Sequence, residues 1–256
     1  MARVDLNADM GESFGPWPMG NDAALLEVIT SANIACGAHA GDPDVMAETM
    51  TLAARHNVGI GAHPGFSDLQ GFGRRRMHVP DASLGNLVRY QVAASVGMAR
   101  AAGGRVRHVK LHGAMANMAA ENEAMARVAY EAALSVDPDL IVMVLAGTAQ
   151  EAAARSLGCL WAGEIFADRA YEDDATLVDR SRDGAVIHDP EEAAARVVEM
   201  VQADAIIARS GKQIPAAIDT ICLHGDGKTA LEIARTVRDR LTAAGVTLQA
   251  FDGRRD

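Results

Sequence analysis

Imidazoles, carboxylates and one lysine recur in this sequence at the ends of short apolar runs. Asp9 and Glu12 follow the run Arg3–Ala8, His39 follows Ala32–Cys36, and His63 follows Val58–Ala62. Lys110 and His112 sit at the end of Val106–Leu111, Glu164, Asp168 and Arg169 at the end of Cys159–Ile165, and His224 and Asp226 just after Ala217–Leu223. Four of the eight histidines share this placement, and glycines stand beside each of them. A lone polar residue in such a position is more often a cap or a loop anchor than a catalyst. Four histidines with the same placement are harder to explain in that way. The remaining four, His56, His78, His108 and His188, fall in a helix end, a loop and strand flanks and read as structural or solvated.

Three chemistries could use this set. Asp9, His39 and His63 have the residue types that bind a divalent metal and activate its water, although no local H-x-x-x-H or H-E-x-x-H spacing fixes them together. Without a metal, Asp9, Glu12 or His112 could take a proton from water while Lys110 stabilises an oxyanion, which is hydrolysis at a carbonyl. Nucleotide binding is suggested by Gly225-Asp226-Gly227-Lys228-Thr229, but a P-loop needs glycine where Cys222 stands, so that phosphate cradle is incomplete. Arg74-Arg75-Arg76 reads either as a solvated loop or as a clamp for a carboxylate or phosphate.

Converging these positions requires parallel strands whose C-terminal ends share one face. Eight apolar runs supply them: the six above, with Leu140–Leu145 and Val246–Phe251. Helical periodicity near Asp22–Thr30, Pro43–Arg55, Ala82–Ala102, Glu121–Val136, Ala149–Ser156, Pro190–Ser210 and Lys228–Ala244 separates them. Asp42-Pro43 and Asp189-Pro190 each place a capping carboxylate before a helix-starting proline. The alternation predicts one closed or nearly closed (β/α) barrel domain over 1–256, with a doubly wound open sheet as the structural alternative. Long connections at 9–21, 65–81 and 166–189 follow strand C-termini, where barrel sites are built.

Composition narrows the function classes. With 24 Lys+Arg against 34 Asp+Glu the net charge is -10, and the only basic cluster is Arg74–Arg76, which argues against a nucleic-acid partner. The chain is 49% hydrophobic but only 4% aromatic, so its core must be built largely from small aliphatic residues and Met. Cys36, Cys159 and Cys222 are odd in number and far apart, which fits a reducing cytoplasm rather than a disulfide framework. Asp5 and Asp9 interrupt any leader-like apolar segment, and Leu140–Ala146 is too short to span a bilayer.

The segments DLNADMGESFG (5–15), ITSANIACGAHAGDP (29–43), GAHPGFSDLQGFGRR (61–75), HVKLHGA (108–114), EIFADRAY (164–171), LVDR (177–180) and ICLHGD (221–226) together resemble the bacterial family of 5-oxoprolinase A subunits, also called lactam-utilisation proteins. The likeness runs in order along essentially the whole chain. It implies a distorted, TIM-like (β/α) barrel related to the glycoside hydrolase and deacetylase barrels. It further implies opening of 5-oxoproline (pyroglutamate) to L-glutamate coupled to hydrolysis of ATP, with partner subunits B and C. By motif match, Asp9, Glu12, Lys110 and His112 are the expected catalytic residues. His39, His63, Glu164, Asp168, Arg169, His224 and Asp226 are expected to bind substrate, with Arg169 a clamp for its carboxylate. Asp9, His39 and His63 stay candidates for a metal. An anionic substrate on an acidic chain leads us to expect a locally cationic pocket from Lys110, Arg169 and the loop arginines. The chain departs from the usual family pattern at Ala38, Leu111, Met115, Ala116, Gly227-Lys228 and Ala175, the last standing where a glycine is common. Two other readings are a metal-dependent deacetylase or amidohydrolase working without ATP, and a non-catalytic subunit that presents ligand to a partner.

Overall fold

The computed structural model describes residues 2–223 and 229–255. Its elements in chain order are β1 (Arg3–Met10), α1 (Asp22–Leu25), β2 (Ser31–Ala35), α2 (Pro43–Arg55), β3 (Gly59–His63), α3 (Asp81–Ala101), β4 (Val106–Lys110), α4 (Gly113–Glu121) and α5 (Glu123–Leu134). They continue with β5 (Ile141–Leu145), α6 (Ala149–Leu157), β6 (Trp161–Phe166), α7 (Pro190–Ala203), β7 (Ala205–Ile207), β8 (Gln213–Pro215), β9 (Thr220–Leu223), α8 (Ala230–Ala243) and β10 (Thr247–Leu248). Strands β1 to β6 pair in sequence, β9 pairs with β6, and β9 pairs back onto β1. The result is a closed parallel barrel of seven strands, so the barrel expectation holds and the open-sheet alternative does not.

The eighth expected strand, 246–251, is not a barrel stave. Only Thr247 and Leu248 pair, with Arg3 and Val4 at the start of β1. Beyond that point β1 already pairs with β9 through residues 5–8, so no free edge is left for a longer eighth strand. The seventh strand is also shorter than read. At 217–219 the chain passes so close to β6 that a side chain on Gly163 would lie 1.9 Å from the Ala217 carbonyl oxygen. Asp219 takes over the pairing there: its amide donates to the Gly163 carbonyl at 2.8 Å and its carboxylate accepts from the Gly163 amide at 2.9 Å.

Helix boundaries follow their caps. Asp42 accepts from the amides of Asp44 and Val45, and Asp189 from that of Glu192, satisfying otherwise unpaired first-turn donors. The helix expected at 121–136 begins at Glu123, with one residue between it and α4, because Asn122 breaks the run and caps α5 through the Met125 amide. The helix expected to reach Ser210 stops at Ala203, where Asp204 turns left-handed (φ 47°), and the antiparallel pair β7–β8 follows.

Period-two alternation sorts β1 cleanly. Val4, Leu6, Ala8 and Met10 belong to the apolar layer between strands and helices. Asp5, Asn7 and Asp9 alternate with them and are all buried, so the barrel lumen is polar. Small side chains make the helical layer thin: α5 buries Ala126, Ala129, Ala132 and Ala133 around Tyr130. No described helix is long and apolar enough to cross a membrane.

Candidate active site

A continuous hydrogen-bonded column climbs the barrel lumen. At its base the Asp5 carboxylate accepts from the hydroxyls of Thr30, Ser31 and Thr220. The Asn7 amide donates to the Thr220 hydroxyl at 2.8 Å, and the Asn33 amide donates to both Asn7 (2.7 Å) and Asp9 (2.9 Å). His108 Nε2 donates to the Asn33 oxygen at 2.7 Å, and its ring occupies space that only a glycine at 61 leaves open, since a Cβ there would lie 2.0 Å from Nε2. Burial pushes the Asp5 carboxyl up to about 6 against the pull of its three hydroxyl donors, and pushes His108 down to about 3.

Lys110 stands at the top of the column. Its ammonium lies 2.9 Å from Asp9 Oδ1, 2.8 Å from Glu164 Oε1, 3.0 Å from Cys222 Sγ and 3.3 Å from Asn7 Oδ1. It also sits 5.0 Å from the centre of the Phe166 ring. Burial opposes its charge, but Asp9, the Cys222 sulfur and Glu164 together outweigh that cost and hold its pKa well above the usual lysine value. Burial also raises Glu164, with Lys110 pulling the other way. This side of the mouth therefore presents a cation fixed between two acids.

The other side is built from imidazoles. His63 Nδ1 is 2.8 Å from the Lys110 carbonyl oxygen, and His112 Nε2 is 2.8 Å from that of Phe72. A carbonyl oxygen only accepts, so both nitrogens carry the ring proton. The opposite nitrogens, His63 Nε2 and His112 Nδ1, face each other at 3.0 Å, and His63 Nε2 is also 3.3 Å from Asp9 Oδ2. His39 stacks on His112 with centroids 3.6 Å apart and planes within 4°. Neither of its ring nitrogens has a hydrogen-bond partner among the described residues, although the residue is buried. Burial, reinforced by the neighbouring imidazoles, holds His39 well below the usual histidine value and His112 at about 3, so both rings are neutral at pH 7. Two close glycines make the stack possible: a Cβ on Gly65 would lie 2.7 Å from His39 Nδ1, and one on Gly73 2.7 Å from His39 Cβ.

The two sides open into one cavity of about 390 Å³ at the C-terminal mouth, lined by Asp9, Glu12, His63, Lys110, His112, Glu164 and Arg169 of the expected set. His39 lies behind His112, beneath the surface of this cavity. Asp168 is buried beside it, and its carbonyl accepts from the Ile187 amide. His224 and Asp226 lie outside the described residues. Among the described residues, Glu12, His39, His63 and His112 bring ligand atoms that all lie within 4.8 Å of one another, so Glu12 and His112 join His39 and His63 of the expected metal set. Asp9 lies between the two sides, its Oδ1 on Lys110 and Asn33 and its Oδ2 3.3 Å from His63 Nε2.

Arg169 does more for the loop than its sequence position implied. Its guanidinium donates to the carbonyls of Ala185 (3.3 Å) and Val178 (2.6 Å), holding down the long connection after β6, and burial lowers its pKa to about 10. The three consecutive arginines part company. Arg75 binds Asp68, Arg76 grips Glu121 through two bonds of 2.9 and 2.6 Å, and Arg74 lies over the Phe72 ring at the cavity rim. The expected cationic pocket is in fact balanced: Arg74, Arg76, Lys110, Arg169 and Arg180 meet Asp9, Glu12, Glu121, Glu164 and Asp179 in its lining. Asn7, Asn33 and Cys222 were not singled out in the sequence, and only the alternation of Asp5, Asn7 and Asp9 along one strand face could have indicated a polar lumen.

Known proteins resemble the whole of this chain. The model of the LamB/YcsF family matches residues 4–256. A protein of Ruegeria pomeroyi, named as the A subunit of 5-oxoprolinase, is 67% identical over 98% of this chain and 100% of its own length. The crystal structure of a lactam utilization protein from Thermus thermophilus superposes with a TM-score of 0.91 at 42% identity, covering 97% of this chain and all of that one. The catalytic domain of a peptidoglycan N-acetylglucosamine deacetylase from Eubacterium rectale shares the barrel alone, with a TM-score of 0.53 at 10% identity over 97% of this chain and 87% of that one.

Proposed function

The chain belongs to the LamB/YcsF family, and from that premise we propose that it is the A subunit of an ATP-dependent 5-oxoprolinase. In this reading the whole chain, 1–256, is one catalytic barrel domain working in the cytoplasm with partner subunits B and C. It opens the lactam of 5-oxoproline to L-glutamate while ATP becomes ADP and phosphate. The observation that carries the reading is the near-full-length likeness to the Ruegeria pomeroyi chain of that name. The buried Lys110, charged and flanked by two carboxylates beside neutral imidazoles, supports it chemically.

An unstrained five-membered lactam is a resonance-stabilised amide and a poor electrophile. Phosphoryl transfer from ATP to its oxygen makes the ring carbon imidate-like; water then adds there, the C–N bond breaks, and phosphate leaves. Ring opening and phosphate release together consume two waters. Asp9 and His112 serve as the proton acceptors, His112 being neutral at pH 7, with Glu12 beside them. Lys110 stabilises the developing oxyanion in a site largely closed to water. His63, Glu164 and Arg169 in the cavity lining position the substrate, with His39 backing His112 from behind, and the rim residues Arg74 and Arg180 add cationic reach for its carboxylate; the family resemblance adds Asp168, His224 and Asp226. Because the P-loop pattern is broken at Cys222, much of the ATP chemistry belongs to the partner subunits.

The test is glutamate release from 5-oxoproline by this chain with its partners, with and without ATP. ATP-dependent glutamate formation is expected, falling by about 100-fold or more in Asp9→Ala and His112→Ala. A loss below about tenfold in the double variant, ~1.4 kcal/mol, would remove both residues from the chemistry. The cluster of Glu12, His39, His63 and His112 favours a second reading, a metal-dependent amidohydrolase or deacetylase needing no ATP. Turnover that ignores ATP and is lost to chelator would transfer the assignment to it.

A further inference from the structure

We infer that Glu12, His39, His63 and His112 form a binding site for one divalent transition-metal ion of the zinc class. Three separate observations point to a cation at this spot. First, His63 Nε2 and His112 Nδ1 converge to 3.0 Å while each ring's other nitrogen donates to a backbone carbonyl on the far side, and Asp9 Oδ2 stands 3.3 Å from His63 Nε2. A neutral imidazole whose other N–H is tied to a carbonyl is how metal-ligating histidines are held in the ligating tautomer. Second, His39 is buried with both ring nitrogens unpartnered among the described residues, an arrangement that costs free energy unless something else occupies the lone pair. Third, Glu12 Oε1 lies 4.0 Å from both His39 Nε2 and His112 Nδ1, adding a negative charge to the three imidazoles.

The dimensions suit the ion. Four ligands about 2.1 Å from a tetrahedral centre stand about 3.4 Å from each other; His63 and His112 stand 3.0 Å apart, Glu12 stands 4.0 Å from His39 and from His112, and all four ligand atoms lie within 4.8 Å, so the longer separations shorten on binding. Three imidazoles with one carboxylate select a first-row transition ion over magnesium or calcium, which prefer oxygen donors. Gly65 and Gly73 leave room for the His39 ring against His112, and because parallel rings 3.6 Å apart cannot both aim in-plane lone pairs at one ion, His39 turns out of the stack when it ligates. The inference concerns this chain's own affinity for a cation and holds whichever amide is the substrate; with the ion bound, both His112 nitrogens are engaged and proton acceptance rests on Asp9.

The full chain, stripped with chelator and dialysed, is titrated with Zn2+ by calorimetry, and with Co2+ by visible absorption. One ion per chain is expected, with the strong visible bands of four-coordinate Co2+. His39→Ala and the near-isosteric Glu12→Gln should each weaken binding by about tenfold or more, while His188→Ala, an exposed histidine, should bind as the parent does. Far-UV circular dichroism checks that each variant is folded, and Glu12→Gln carries the test if His39→Ala is not. Failure of the stripped parent to take up Zn2+, or equal affinity in parent and Glu12→Gln, overturns the site. So does an NMR signal for a proton shared between His63 and His112 that persists unchanged when Zn2+ is added.

Discussion

The two sides of the barrel mouth solve the burial of polar groups in opposite ways. On one side Lys110 is surrounded by Asp9, Glu164, Asn7 and Cys222, and the column beneath it matches donors to acceptors down to Asp5. On the other, His39 has no hydrogen-bond partner among the described residues, and the His63 and His112 nitrogens that do not bind a carbonyl face each other at 3.0 Å. A buried polar network that is complete rigidifies its members, whereas an incomplete one calls for a ligand. The Lys110 side therefore works as a fixed electrostatic frame, and the imidazole side as the half that awaits a partner.

The largest effect should come from breaking the complete half. Lys110→Met leaves Asp9 and Glu164 buried without their cation, a loss of about 3–5 kcal/mol in unfolding free energy. Adding Asp9→Asn and Glu164→Gln removes the stranded charges and should restore most of that stability, while activity stays down by about 10²-fold or more. Denaturant midpoints of the single and triple variants decide it. Equal stability of the two would mean that Lys110 is not what compensates the acids.

A second prediction tests the base of the same column by pH. The Asp5 carboxyl is raised to about 6 in the folded chain against 3.8 for the ordinary group, so the folded state favours the protonated acid. The stability this contributes is fully present below pH 3.8 and is lost as pH rises through about 6, a swing of about 3 kcal/mol. Asp5→Asn does not titrate. Its stability relative to the parent should therefore improve by about 2 kcal/mol between pH 4 and 6.5, and a flat difference across that window would show the acid to be no less ionised in the fold than outside it.

These contrasts explain what the sequence revealed and what it concealed. The histidines and Lys110 were legible because parallel strands bring their C-terminal ends to one face, a consequence of topology alone. Partners were not legible. Nothing local says that the Arg169 guanidinium reaches the carbonyls of Val178 and Ala185, or that Glu12 joins the three imidazoles, because both depend on how the loops after β1 and β6 fold back. Asn7 and Asn33 escaped notice because a polar residue in an apolar run reads as an interruption until the barrel gives it a lumen to face. The eighth strand was overread for a similar reason: an apolar run has strand character, but pairing needs a free edge, and β9 had taken it.

The imidazole half can be disturbed with one methyl group. Gly65→Ala would place a Cβ 2.7 Å from His39 Nδ1, against a ring already stacked at 3.6 Å on His112. The ring must leave the stack, at about 1–3 kcal/mol. The ring-current shift of the His39 protons by NMR reports the displacement directly. Unchanged shifts would mean that the backbone at 65 yields instead and that the glycine is not what holds the stack.

The smallest expected effect lies outside both halves, on the arm after β6, and it separates fold stability from the site. Ala175 is buried at φ 68°, in the left-handed region that a residue with a Cβ avoids, and the sequence had marked it as standing where a glycine is common. Relief of that strain in Ala175→Gly is worth about 1–2 kcal/mol. The extra freedom of glycine in the unfolded chain takes back about 0.4–1 kcal/mol. Part of the remainder goes with the lost methyl, whose Cβ packs near Gly147. The net is a gain of about 0.5 kcal/mol, which a small rise in denaturant midpoint would register. Glutamate release should be unaltered, because the cavity begins one residue later, at Thr176. A destabilised variant would mean that the methyl contact outweighs the strain, and altered turnover would mean that the arm's backbone at 175 sets the position of the cavity wall.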